Sequence, residues 1–138
     1  MNEAVQKRGS VETAYFSVTG TDDEVVPFVN ENNWRTNAFF CAWTAYQTMN
    51  GMEVSSRPDF SKDATFGIAL KDREVISTNK RVTMEAGVLY KGNIPLIKVV
   101  AVNDYGHWNF KPDARLMWDF MKQFSRDPQT KKLVYNKR

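Results

Sequence analysis

Two acidic residues and the only histidine of the sequence are the residues whose types and spacing could do chemistry. Asp22 and Asp23 follow the apolar stretch TAYFSVT within the segment GTDDEVVP, and His107 lies far downstream in the segment GHWNF. A carboxylate that accepts a hydrogen bond from one imidazole nitrogen fixes the tautomer of the ring and leaves the other nitrogen as a general base. Asp23 and His107 are therefore candidate catalytic residues, and the alternative is a solvated acidic turn with an ordinary polar loop histidine.

Two predicted strands must position these residues. Residues 11–19 are rich in β-branched and aromatic side chains, which is typical of a buried strand. Residues 94–102, IPLIKVVAV, form an almost continuous apolar run, which indicates a central strand covered on both faces. Because the carboxyl ends of neighbouring parallel strands meet at one edge of a sheet, we expect Asp23 and His107 to come together there.

Two amphipathic helices are predicted from apolar residues at helical spacing. The first covers residues 34–49, with Asn32 or Asn33 as its N-terminal cap and Gly51 as its C-terminal stop. The second covers residues 112–126. Its buried face is predicted to consist of Leu116, Met117, Phe120, Met121 and Phe124.

The order of these elements predicts the fold class. Residues 1–138 are enough for one domain or part of one, with a β-rich insert over residues 52–93 between the first helix and the second main strand. Strands alternating with helices favour an α/β fold with parallel strands and flanking helices. Two main strands are too few for a complete parallel sheet, so we expect the sheet to be incomplete.

Several segments resemble α/β-hydrolases of the polyhydroxybutyrate depolymerase and feruloyl esterase-like kind. GTDDEVVP resembles the acid turn of that family, GHWNF resembles its histidine loop, and NAFFCAWTAYQTMNGM and ARLMWDFMKQFSR resemble two of its helices. The resemblance extends over about residues 11–127 and implies the C-terminal portion of an α/β-hydrolase fold. It also implies that Asp23 is the triad acid and His107 the triad base, in the chain order of that family.

The nucleophile that such a triad needs is missing from the sequence. No Gly-x-Ser-x-Gly motif occurs, and every serine lacks the flanking glycines. The resemblance therefore implies a serine esterase whose nucleophilic serine lies outside this chain, acting on small or polymeric carboxylic esters without a cofactor. We expect this chain by itself to be inactive, and the alternative function is a non-catalytic binding or assembly module.

The residues around His107 have two interpretations each. Trp108 and Tyr105 are candidate substrate-binding residues, although the alternative for Trp108, packing of the loop onto the sheet, is favoured. Asp104 is a rival acid that lies three residues before His107. We expect Asp104 to cap the loop, because an acid on a separate strand holds the imidazole more rigidly.

Composition excludes several classes of function. The net charge is only +3, and basic residues concentrate in the tail KKLVYNKR, which argues against a nucleic-acid partner. Cys41 is the single cysteine, so neither an internal disulfide nor a Cys/His metal site is expected, and a buried position in the first helix is predicted for it. No apolar run is long enough to span a membrane, and MNEAVQKRGS has no signal-peptide pattern, which leaves the localisation open. Uncovered sheet edges would favour self-association or association with the missing N-terminal part.

Overall fold

The computed structural model describes residues 12–78, 81–108 and 110–137. These residues form two helices and six strands: β1 (Tyr15–Gly20), α1 (Ala38–Met49), β2 (Lys71–Ser77), β3 (Thr83–Lys91), β4 (Ile94–Val102), α2 (Pro112–Met121), β5 (Phe124–Arg126) and β6 (Leu133–Tyr135). Neither of the described helices has the length and the apolar character that crossing a bilayer requires.

The main sheet is mixed, which corrects the predicted fold class. Its strand order is β1-β4-β3-β2, and only β1 and β4 run parallel to each other. Strands account for 30% of the described residues and helices for 18%. The predicted C-terminal portion of an α/β-hydrolase fold, with parallel strands and flanking helices, is therefore wrong. The sheet is extended by an antiparallel meander instead of by further parallel strands.

A short connection explains why the meander forms. Only Gly92 and Asn93 separate β3 from β4, and Gly92 has a φ of 59°, a left-handed conformation that glycine adopts without strain. A two-residue link can join antiparallel strands, whereas a parallel connection needs a crossover of about a dozen residues or more. The insert between residues 52 and 93 therefore supplies both additional strands of the main sheet. The polar segment KDREVIS forms the exposed edge strand β2.

Strand β4 lies in the middle of the sheet and is buried on both faces. Val99 and Ala101 belong to one core cluster, together with Trp43 of α1. Val100 and Val102 belong to a second cluster on the opposite face, together with Phe110. The continuous apolar sequence of β4 follows from this double burial.

Helix α1 begins later than its sequence pattern predicts. Its cap is Asn37, whose side-chain oxygen accepts hydrogen bonds from the backbone N–H groups of Phe39 and Phe40, so the predicted caps Asn32 and Asn33 are wrong. The predicted burial of Cys41 is also wrong, since its side chain is exposed. The buried residues of the helix are Phe40, Trp43 and Gln47, and Phe39 and Tyr46 pack against the same core cluster.

Helix α2 ends at Met121, and the chain continues into the β5–β6 hairpin. Phe120 is buried against the ring of Phe16 in β1, with 6.0 Å between the ring centroids. Met117 and Met121 are 45% and 39% exposed, so the predicted buried face is wrong at these two positions. Fewer apolar side chains of α2 contact the sheet than the sequence pattern predicts, because α2 covers little more than the edge strand β1.

An ion-pair network ties the loop that precedes β2 to strands β2 and β3. The guanidinium of Arg73 donates from Nε to Asp63 at 2.7 Å, from Nη2 to Glu85 at 2.8 Å and from Nη1 to the carbonyl oxygen of Ala86 at 3.0 Å. It also lies 5.0 Å from the ring centroid of Phe66. The side chain of Asp63 is only 7% exposed, and its other donors are the backbone N–H groups of Thr65 and Phe66. The loss of Arg73 would therefore leave a mostly buried negative charge without its counterion.

We expect the substitution Arg73→Ala to lower the free energy of unfolding by about 2 kcal/mol, because it removes the cation that pairs with Asp63 and Glu85 and the donor to the carbonyl oxygen of Ala86. The matched control is Arg115→Ala, which removes an ion pair with Asp119 whose arginine side chain is 81% exposed. That change should cost no more than about 0.5 kcal/mol. Urea unfolding of both variants measures the difference, and equal losses would contradict a structural role for the Arg73 network.

Candidate functional site

The parallel pairing of β1 with β4 brings the acid turn and the histidine loop to one edge of the sheet. The register aligns Gly20 with Val102 at the carboxyl ends of both strands. Beyond these ends, the N–H of Thr21 donates to the carbonyl of Val102 at 3.0 Å, and the N–H of Asp22 donates to the carbonyl of Tyr105 at 3.0 Å. Backbone hydrogen bonds therefore join the two loops independently of the side chains of Asp23 and His107.

Gly20 is required by this close approach of the two backbones. A Cβ atom at this position would lie 2.0 Å from the carbonyl oxygen of Tyr105 and 2.7 Å from that of Gly106. Both obstacles are backbone atoms, which cannot move aside in the way that a flexible side chain can. The glycine at the start of GTDDEVVP is thus explained by the docking of the histidine loop.

Asp23 is held by its own turn and faces the histidine. Its Oδ1 accepts hydrogen bonds from the N–H groups of Val25 at 2.9 Å and Val26 at 2.8 Å, and its side chain is only 6% exposed. Burial acts to raise the pKa of Asp23, but the hydrogen bonds from Val26, His107 and Val25 outweigh it, so the pKa lies below its ordinary value. Asp23 is therefore an ionised and immobilised carboxylate with Oδ2 left for one further donor.

That donor is the imidazole of His107. Its Nδ1 lies 2.7 Å from Oδ2 of Asp23. An ionised carboxylate only accepts hydrogen bonds, so Nδ1 carries a proton and Nε2 of the neutral ring keeps its lone pair. The side chain of His107 is 54% exposed, and within the described parts of the chain no group forms a hydrogen bond with Nε2. Nε2 can therefore accept a proton from a nucleophile or ligand that enters the site.

A tight turn aims the imidazole. The N–H of Trp108 donates to the carbonyl of Gly106 at 3.0 Å, which is a γ-turn centred on His107. The hydrogen bond across the turn restrains the backbone of its central residue. His107 is therefore fixed by the backbone on one side and by Asp23 on the other.

The rival acid Asp104 is not bonded to the histidine. It is exposed, adopts a left-handed backbone with a φ of 55°, and its N–H donates to Oγ1 of Thr21 at 2.8 Å. It helps to fasten the histidine loop to the acid turn through its backbone. Of the two acids considered, the structure brings Asp23 and not Asp104 to His107.

The two aromatic neighbours of His107 are in different environments. Trp108 is 83% exposed, so the favoured expectation that it packs the loop onto the sheet is wrong. Tyr105 is half-buried and packs on Phe110, with 5.0 Å between the ring centroids. The exposed indole is available to a ligand or a partner, whereas Tyr105 contributes mainly to the wall of the site.

A cleft of about 480 Å³ opens beside the pair. Asp23 and His107 line it together with Trp108, Phe39 and Asp113. Phe39 and Asp113 were not predicted as site residues from the sequence, because each belongs to a helix start whose distance from the histidine loop depends on how the helices pack. The remaining lining residues are Val18, Thr19, Gly20, Val26, Val102, Tyr105, Gly106 and Phe110.

No serine or cysteine of the described residues lines this cleft. Thr19 does line it, but this residue is 6% exposed and its hydroxyl donates to the carbonyl of Gly20 at 3.4 Å. The same residues contain no group of three or more histidine, cysteine or acidic side chains that could hold a metal ion. The site thus consists of an oriented base and its acid, without a resident nucleophile of the serine or cysteine type.

Comparison with protein-family models, with curated proteins and with solved structures finds no match for this chain. Any assignment of function therefore depends on the chemistry of the site described above.

We expect Gly20→Ala to lower the free energy of unfolding by about 3 kcal/mol, because the added methyl group must push the histidine loop away from β1. The matched control is Gly106→Ala, whose Cβ would meet only the indole of Trp108 at 3.6 Å and 3.9 Å. Denaturant unfolding gives both values, and NMR chemical shifts of the ring of His107 report separation of the loops. A Gly20→Ala variant as stable as the Gly106→Ala variant would contradict this account.

We expect the stabilising effect of Asp23 to depend on pH in the acidic range. Because the pKa of Asp23 is lower in the folded state, its contribution is fully present above its unfolded pKa of about 3.9 and is lost as the pH falls through the folded value. The stability difference between the wild type and Asp23→Asn should therefore shrink below about pH 4. Urea unfolding between about pH 7 and pH 2 measures it. A difference that stays constant over this range would show that the carboxylate is not selectively stabilised.

Proposed function

We propose that this chain carries the acid and the base of a serine hydrolase that cleaves carboxylic esters. The observation that carries the proposal is the 2.7 Å contact between Nδ1 of His107 and Oδ2 of Asp23, with Nε2 of the ring directed away from its protein partner. This is the arrangement in which a histidine activates a hydroxyl nucleophile. The nucleophilic serine is contributed by polypeptide outside this chain.

Each residue has a definite task in the reaction. Nε2 of His107 takes the proton of the serine hydroxyl as its oxygen attacks the ester carbonyl, and Asp23 stabilises the imidazolium that forms. The protonated Nε2 then donates its proton to the oxygen of the leaving alcohol. In the second half, Nε2 takes a proton from water, the water oxygen attacks the acyl-enzyme, and the proton returns to the serine oxygen.

The immobilisation of the acid supports this assignment. Asp23 uses one oxygen for the backbone N–H groups of Val25 and Val26 and the other for His107. A general base is held in its reactive orientation more firmly when the carboxylate that orients it is itself immobilised before the substrate binds. The segments GTDDEVVP and GHWNF also resemble the acid turn and the histidine loop of esterases.

The test uses this chain together with the polypeptide that is proposed to supply the serine. With p-nitrophenyl acetate as substrate, we expect His107→Ala to lower kcat by about 10³-fold or more, because the general base is lost. Asp23→Ala should lower kcat by about 10³–10⁴-fold, because the imidazole loses its orientation. We expect this chain alone to show no turnover beyond that of free imidazole.

The matched control is Asp104→Ala, which removes a carboxylate from the same loop without touching the imidazole. It should leave kcat within about threefold of the wild type, since Asp104 has no contact with His107 among the described residues. A large loss in this variant with near-normal activity of Asp23→Ala would show that the acid was assigned incorrectly. Turnover that survives His107→Ala would overturn the proposal as a whole.

A second candidate, a non-catalytic assembly module, is favoured by the exposed apolar side chains of α2. Met117, Trp118 and Met121 are 45%, 62% and 39% exposed and follow each other at helical spacing. On this alternative, the larger protein would turn over no ester and His107→Ala would leave its association mass unchanged. The kinetic and mass measurements on the same variant therefore separate the two candidates.

A further inference from the structure

One carboxylate in the cleft beside His107 has no bonding partner among the residues that the structure describes. Asp113 is the second residue of α2 and lines the same cleft as His107 and Trp108. Within the residues described, its side chain forms neither a hydrogen bond nor an ion pair. Asp119, on the same helix, is bonded to both Arg115 and Lys122.

The surroundings make this unpartnered state unfavourable. The cleft that Asp113 lines has largely apolar walls, which include Val18, Val102 and Phe110. Burial raises the pKa of Asp113, which means that the protein compensates its negative charge poorly. The positive end of the helix dipole favours an acid in the first turn, but that preference would equally be met by a carboxylate pointing into water.

We propose that Asp113 is a specificity-determining residue of this site, whose carboxylate accepts a hydrogen bond from a hydroxyl or ammonium group of the substrate. This inference rests on the proposed function, since it assumes that an ester occupies the cleft beside His107. The substrate is then an ester whose hydrocarbon chain lies along the apolar walls and ends in a hydrogen-bond donor.

The selectivity follows from the difference between two bound ligands. A ligand with a donor at the right distance supplies the missing partner of the carboxylate. A ligand of the same length without a donor removes water from Asp113 and leaves it unpaired, which is costly for a charged group. The residue therefore discriminates chiefly against purely apolar chains.

Binding of three matched probes to the full chain tests the inference without requiring turnover. The probes are butyl acetate, 4-hydroxybutyl acetate and 4-aminobutyl acetate, titrated against the backbone amide signals of the cleft in NMR spectra. We expect a Kd about fivefold to tenfold lower for at least one of the two probes that carry a donor, and Asp113→Ala should make all three Kd values equal.

Two further variants make the result specific. Asp113→Asn keeps a carbonyl acceptor but removes the charge, so it should abolish a preference for the ammonium probe and only weaken a preference for the hydroxyl probe. Asp119→Asn, the control on the same helix, should leave every preference unchanged because Asp119 does not line the cleft.

Equal Kd values for all three probes in the wild type, or a preference that survives Asp113→Ala, would overturn the role of Asp113 and leave the Asp23–His107 pair unaffected. The failure of every probe to shift the signals of the cleft would count against the cleft as a substrate site. That result would remove the basis of this inference and weaken the proposed function as well. The probe experiment thus distinguishes an error about Asp113 from an error about the site.

Discussion

The close backbone contact between the end of β1 and the histidine loop is the constraint on which the rest of the site depends. It exists because β1 and β4 are parallel and in register, and because Gly20 has no side chain to separate them from the loop. Once Asp22 is bonded to Tyr105 through the backbone, the next residue is already close to the imidazole. The Asp23–His107 bond is thus the consequence of a main-chain arrangement and not its cause.

This order of causes explains why one acid among several meets the histidine. Asp22, Asp23, Glu24 and Asp104 all lie in the two loops, and three of them are exposed. Asp23 alone is turned inward, because the N–H groups of Val25 and Val26 hold its Oδ1. Sequence proximity to His107 would have favoured Asp104, but the left-handed turn at that residue directs its backbone, not its carboxylate, to the acid turn.

The mixed sheet supports the site from the side opposite to β1. A parallel pair of strands by itself would leave β4 half uncovered, and the antiparallel strand β3 covers that edge through a two-residue link. The core clusters on the two faces then bury β4, with Trp43 of α1 on one face and Phe110 on the other. The parallel neighbours that an esterase-like fold was expected to supply are not needed to bring the acid and the base together.

The sequence by itself determined the strand Ile94–Val102, the start of α2 at Pro112 and the two loops that carry the candidate pair. These features are local, since double burial of a strand, a proline at a helix start and a chain reversal can each be recognised from the types of a few consecutive residues. The mixed character of the sheet, the exposure of Cys41, Met117 and Trp108, and the place of Asp113 in the cleft were decided only by the tertiary structure. Which strand pairs with which, and which face of a helix is covered, depend on contacts between residues far apart in the chain, and no local pattern records them.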